Sequence, residues 1–200
     1  MGLKRPRMSM RSRGLILVGA ALLVISIYFP WWGMKLIAAM YPEGLDLLVY
    51  PYKLEGQLDT INILNHYIGM REIHEGDFPE FQYIPYAVWG IAIGFAAAAL
   101  TGSKGLGYVM FGLLAIGGIF GIYDMYHWLH TFGTQLDPQA PIQIDPFVPP
   151  VVGENQLANF TTYTGFKRGF YFLILGTVIV ALGLWGDRLW NEKSSSAGSS

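Results

Sequence analysis

The chain has 200 residues, of which 52 % are hydrophobic and only 14 % charged, against roughly 25 % charged in soluble domains. A mean hydropathy of +0.37 describes a membrane protein, and a net charge of −1 without a block of Lys and Arg excludes a nucleic-acid groove. With no cysteine, disulfides, thiolate metal sites, iron–sulfur clusters and cysteine nucleophiles are excluded, which leaves His, Met and carboxylates as metal ligands.

A basic start, residues 1–13, precedes an apolar run at 14–32, and three more runs follow at 84–100, 106–128 and 169–185. Each approaches the roughly 20 apolar residues that a bilayer core requires. The expected fold is therefore an all-α membrane protein with four transmembrane helices. Placing both ends in the cytoplasm puts eight of the 13 basic residues inside, namely Lys4, Arg5, Arg7, Arg11, Arg13, Lys104, Arg188 and Lys193, the side on which Lys and Arg are retained. The chain thus reads N-in and C-in, with a cytoplasmic turn at 101–105, a cytoplasmic tail at 186–200, and acidic outer segments at 33–83 and 129–168.

The first run also has the order of a signal peptide, basic residues and then an apolar stretch. It continues through Tyr28, Phe29, Pro30, Trp31 and Trp32 without a small-x-small site, so it reads as an uncleaved anchor ending in an aromatic belt. Gly90, Gly94 and Ala98, then Gly117 and Gly121, recur four apart. That spacing lets helix backbones approach in a compact bundle.

In the first outer segment, residues 45–54 are β-prone and Glu55-Gly56 supplies a turn, with Pro51 confining any strand to an edge. Asp59 or Thr60 offers an N-cap for a helix over 61–70. There Asn62, His66 and Met70 share one face and Ile61, Leu64 and Ile68 the other. Two readings fit: an amphipathic helix resting on the bundle or the membrane surface, or a soft-metal site in which imidazole and thioether hold Cu(I). His74 joins only if the helix continues another turn.

At the outer end of the third run, Asp124, His127 and His130 are spaced three apart. A carboxylate with two imidazoles suits zinc, iron or copper; an Asp hydrogen-bonded to a neighbouring Tyr or His at the membrane boundary is the alternative. All four histidines, His66, His74, His127 and His130, fall on the outer side. Pro138, Pro141, Pro146, Pro149 and Pro150 then predict an extended, irregular outer loop, either a rigid connection or a docking surface. Asn159-Phe160-Thr161 matches a glycosylation sequon that occurs often by chance, and 194–200 reads as a low-complexity end.

No Walker loop, dinucleotide fingerprint, nucleophile elbow or zincin pair is present. Ser26 lies in the first run, and Glu72, Glu75 and Asp77 read as carboxylates solvating a loop. Mid-membrane charges and broken helices of the transporter kind are also missing. The expectation is a protein that is neither enzyme nor transporter.

Four stretches carry a resemblance: Tyr41-Pro42-Glu43-Gly44-Leu45, the run from Ile61 to Met70, Tyr123-Asp124 with Leu136 to Ile142, and Leu157-Ala158-Asn159-Phe160. They resemble small four-span membrane proteins of bacterial nitrous-oxide-reductase and related copper-enzyme gene clusters. The resemblance implies an accessory role in copper handling, maturation or electron supply for an exported respiratory enzyme, in the cytoplasmic membrane and with a membrane or periplasmic protein partner. It touches His66, Met70 and Asp124, whereas His127 and His130 depart from the pattern. A non-catalytic structural subunit docking through the Pro-rich loop is the alternative, and a haem subunit using His pairs is a third.

Overall fold

The structure, a computed structural model, describes residues 8–157 and 160–197, with side chains over 8–156 and 160–186. Lys4, Arg5, Arg7, the sequon's Asn159 and residues 198–200 lie outside that description, as do the side chains of Arg188, Trp190 and Lys193.

Among the described residues five α-helices and five strands follow in the order α1 (Met10–Ser26), β1 (Trp32–Ala38), β2 (Tyr41–Val49), β3 (Leu54–Gly56), α2 (Leu58–Tyr67), α3 (Ile84–Thr101), α4 (Lys104–Thr134), β4 (Gly153–Leu157), β5 (Phe160–Phe166) and α5 (Arg168–Ala197). Short 3-10 turns at Glu75–Asp77 and Pro79–Gln82 lead into α3. The expectation of an all-α four-span protein is corrected on two counts. The strands form one antiparallel sheet in the order β3-β2-β1-β5-β4. Three helices among the described residues are long and apolar enough to cross a membrane, Ile84–Thr101, Lys104–Thr134 and Arg168–Gly186.

The first apolar run is where both corrections originate. Helix α1 stops at Ser26, before Pro30, which disfavours helix at Phe29 and brings no N–H of its own. The remaining apolar residues change period from 3.6 to 2, and Trp32, Met34, Leu36 and Ala38 turn toward one side of β1. Of the aromatics read as a membrane belt, Trp31 and Trp32 are tied down within the chain. Trp32 is 5 % exposed, and its indole N–H donates to the Val151 carbonyl at 2.6 Å. Trp31 donates likewise to the Ser26 carbonyl at 3.0 Å. In the segment read as a Pro-rich loop, the Thr- and aromatic-rich Phe160–Phe166 pairs with β1 from Trp32↔Phe166 to Ala38↔Phe160. Its polar Thr residues conceal it from a hydropathy reading, although Thr suits a half-buried strand.

Leu36, Ala38, Leu45, Leu47 and Leu54 of the sheet meet Ile61 and Leu64 of α2, Ile73 and Phe132 in one core. A separate core fills the bundle, where α1 lies between α5 and α3 around Ile16, Leu23, Phe95, Val180 and Leu184. The 31 residues of α4 measure about 46 Å at a helical rise of 1.5 Å, longer than the roughly 30 Å of a hydrocarbon core. Its last turns therefore extend past the bundle, and Trp128 and Phe132 enter the sheet core. Helix α5 continues through the serine-rich stretch to Ala197.

Of the expected glycines only Gly94 is closely approached, and the tightest helix contacts lie at others. A Cβ on Gly19 would lie 2.6 Å from Val180 Cγ2 and 2.7 Å from the Gly176 carbonyl, and one on Gly183 2.8 Å from Ile16 Cγ1. Around Gly90, Gly117 and Gly121 the space is open, and Gly94 accommodates the Met110 side chain. Gly176→Ile should accordingly destabilise the α1–α5 seam by roughly 1–3 kcal/mol through overpacking. Gly117→Ala should stay within about 1 kcal/mol of the parent, on the stabilising side, because Ala is the better helix former. Thermal unfolding in detergent separates the two.

Candidate functional site

Helix α2 ends at Tyr67, with Ile68 as its C-cap and Gly69 at φ +76°. This left-handed turn, natural for glycine, carries the chain away from the helix axis. Met70 thus leaves the face that holds Asn62 and His66 and packs on the sheet core. The shared helical face expected for His66 and Met70 is not present, because α2 ends at Tyr67 and the half-buried Met70 packs against the sheet core. A side chain at position 69 would also collide with Asp137 and Ala140. There the Asp137 N–H donates to the Gly69 carbonyl at 2.8 Å and seats the Pro-rich segment on the end of α2.

Asn62 has a structural task. Its Nδ2 donates to the Ile73 carbonyl at 3.1 Å, and its Oδ1 accepts from the Ile73 N–H at 2.8 Å. This two-point clamp mimics a strand pairing and holds the extended chain around Ile73 against α2. Because the Ile73 side chain enters the core, its neighbours Glu72 and His74 point outward. The result is an open cleft of roughly 470 Å³ between α2 and this segment, lined by Asp59, Asn62, His66, Glu72 and His74 among others. The His74 Nε2–H donates to Glu72 Oε2 at 3.0 Å. The nearby carboxylates have structural partners: Glu75 Oε1 accepts from the Leu54 N–H at 2.9 Å, and Asp77 pairs with Arg71 at 2.8 Å.

Asp124, His127 and His130 do not join this cleft. Asp124 faces Glu80 across the α3–α4 hairpin, with the Trp128 indole beside them. Burial pushes the Glu80 carboxyl above the usual carboxylate range; a backbone donor opposes this and the neighbouring Asp124 adds to it. His127 lies over the Tyr123 ring at 6.4 Å and edge-on to Trp128 at 5.9 Å. His130 sits beside Tyr126 at 6.2 Å, with Thr134 Oγ1 at 3.4 Å from its Nδ1. Among the described residues, no three His, Asp or Glu side chains are already gathered closely enough to hold a metal ion.

Sequence reasoning passed over Glu80 and the cleft positions of Glu72 and of Asp59, which it read as an N-cap, the place that Gln57 takes. Glu80 had a signal: it precedes Gly102 by as many residues as Asp124 follows it, so an antiparallel hairpin places them opposite. The Glu72–His74 pairing depends on the Asn62 clamp and has no signature in residue spacing. No protein-family model matches the chain, and no curated protein matches it.

Two expectations follow from these contacts. An acid whose folded pKa is raised holds its proton more tightly when folded, so its contribution is complete below the ordinary carboxylate range and is lost as pH rises through the raised value. Glu80→Gln, which removes the titrating carboxyl, should therefore raise the thermal midpoint relative to the parent near neutral pH. The gain should vanish in acid. Asn62→Leu leaves both Ile73 backbone groups without their partner, at about 1–3 kcal/mol for each buried group, and hydrogen exchange at the Ile73 amide should accelerate selectively.

Proposed function

We propose that this chain is a non-catalytic accessory protein of the cytoplasmic membrane, whose sheet end faces outward and assists copper handling, maturation or electron supply of an exported respiratory enzyme. The carrying observation is that all four histidines belong to the sheet end: His66 and His74 line one cleft, and His127 and His130 flank the α4 residues Trp128 and Phe132 that enter the sheet core. The orientation draws on charge. Arg11, Arg13 and Lys104 lie at the opposite end, where the Met8 N–H donates to the Gly102 carbonyl at 3.2 Å, and basic residues are retained on the cytoplasmic side.

Copper draws on the resemblance of the 41–45, 61–70 and 136–142 stretches to proteins of copper-enzyme gene clusters, and on a chain without thiols whose outer donors are imidazoles and carboxylates. A role as a permanent structural subunit differs in its consequence for the partner enzyme. In cells lacking this chain, an exported copper enzyme of the same membrane should accumulate to normal abundance with depleted copper, and the full-length chain should restore it. Normal copper occupancy would overturn the copper role. A fall in enzyme abundance with copper occupancy unchanged would assign the chain to the structural class instead.

A further inference from the structure

The cleft beside α2 has a donor set that the helix spacing did not predict. With Met70 packed against the sheet core, the donors that remain are two imidazoles, His66 and His74, and the carboxylates Asp59 and Glu72. Nitrogen and oxygen donors of this kind suit divalent copper and zinc, and the divalent series places copper above zinc for a given site. Soft monovalent copper, which favours sulfur, is disfavoured by the same set.

His74 is also oriented. Its Nε2–H is engaged by Glu72, so the lone pair of the neutral ring lies on Nδ1. A carboxylate behind an imidazole is the arrangement that fixes tautomer and ring direction in metal-binding histidines and raises their basicity. The backbone on both sides is held: α2 carries Asp59 and His66 two turns apart on one face, and the Asn62 clamp fixes the chain bearing His74 against them. His66 and His74 are exposed at the cleft; the structure does not gather them into a formed ligand set, so binding has to draw the two imidazoles together.

We propose that the cleft between α2 and the Glu72–His74 segment is a divalent copper–zinc-class metal site, with His66 and His74 Nδ1 as imidazole ligands and Glu72 orienting His74. The proposal deepens the reading of the chain as a metal-handling accessory and rests on it only for biological purpose, since binding is measurable on the isolated protein.

The test uses the untagged full-length chain in detergent, titrated with Cu²⁺ alone and Zn²⁺ alone by calorimetry, with electron paramagnetic resonance of the Cu²⁺ form. The expected result is one ion per chain, Cu²⁺ tighter than Zn²⁺, and nitrogen couplings from two imidazoles. His66→Ala and His74→Ala should each weaken binding by more than about tenfold, and Glu72→Gln by on the order of tenfold, within the range found for outer-shell partners. His130→Ala should leave binding unchanged. Because the varied side chains are exposed, an unchanged circular dichroism spectrum and elution volume are expected for every variant. Binding that survives the double His66→Ala, His74→Ala substitution, or that falls equally with His130→Ala, would overturn the site, as would no binding by the parent. Such a failure, alongside copper depletion of the exported enzyme in cells lacking the chain, would leave the accessory role standing without this cleft.

Discussion

A single antiparallel seam organises the molecule. The limb α1–β1 runs beside the limb β5–α5 through both the helical and the sheet layers. Near the change of layer the Lys167 N–H donates to the Trp31 carbonyl at 3.0 Å and the Gly169 N–H to the Pro30 carbonyl at 2.9 Å. On the bundle side Gly19, Gly176 and Gly183 let the two helices touch; on the sheet side seven residue pairs continue the same alignment as a ladder. Backbone groups that would be costly to leave bare beside an apolar layer are in this way satisfied across the junction. Pro30 suits the corner because it has no N–H to satisfy there, and its carbonyl serves as the acceptor for Gly169.

The second connection between the layers is α4, which passes without interruption from the bundle to the sheet core. Its two ends meet different demands. Between Lys104 and about Ile122 its surface is almost wholly apolar: Leu106, Tyr108, Met110, Phe111 and Leu114 pack on the bundle core, while Val109, Leu113, Ile116, Ile119, Phe120 and Ile122 stay exposed within the chain, as suits a helix with one lipid-facing side. Beyond Asp124 the same helix supplies Trp128 and Phe132 to an aromatic cluster with Phe78, whose ring centroid lies 4.6 Å from that of Trp128. The Glu80–Asp124 pair occurs at this change of surroundings. There burial raises the Glu80 carboxyl above its usual range, and the neighbouring Asp124 adds to the effect.

How much of this was readable in the residues depends on whether the signal was local. The three long apolar helices were legible because about twenty consecutive apolar residues have few alternatives. The sheet was concealed for two physical reasons. The residues of β1 continue the apolar run of α1, so the composition stays constant while the backbone period changes. The residues of β5 are Thr-rich and resemble a polar loop until their partner is known. The site followed the same division. His66 lies on its helix as expected, but Met70 does not, because α2 ends at Tyr67 and Gly69 turns the chain away before it. The pairing of Glu72 with His74 depends on Asn62 gripping a backbone eleven residues away, and that grip appears in no motif.

The seam also orders events in time. The cleft is assembled from residues 59–74, a contiguous stretch whose contacts close short loops, and such contacts form readily. The central strand has a different history. Trp32 finds Val49 on one side early, but Phe166 on the other only after well over a hundred further residues have been made. Until then β1 is an open edge of apolar residues beside a membrane, the kind of template that recruits wrong partners. During synthesis the vulnerable element of this protein is therefore the strand that ends up most completely enclosed.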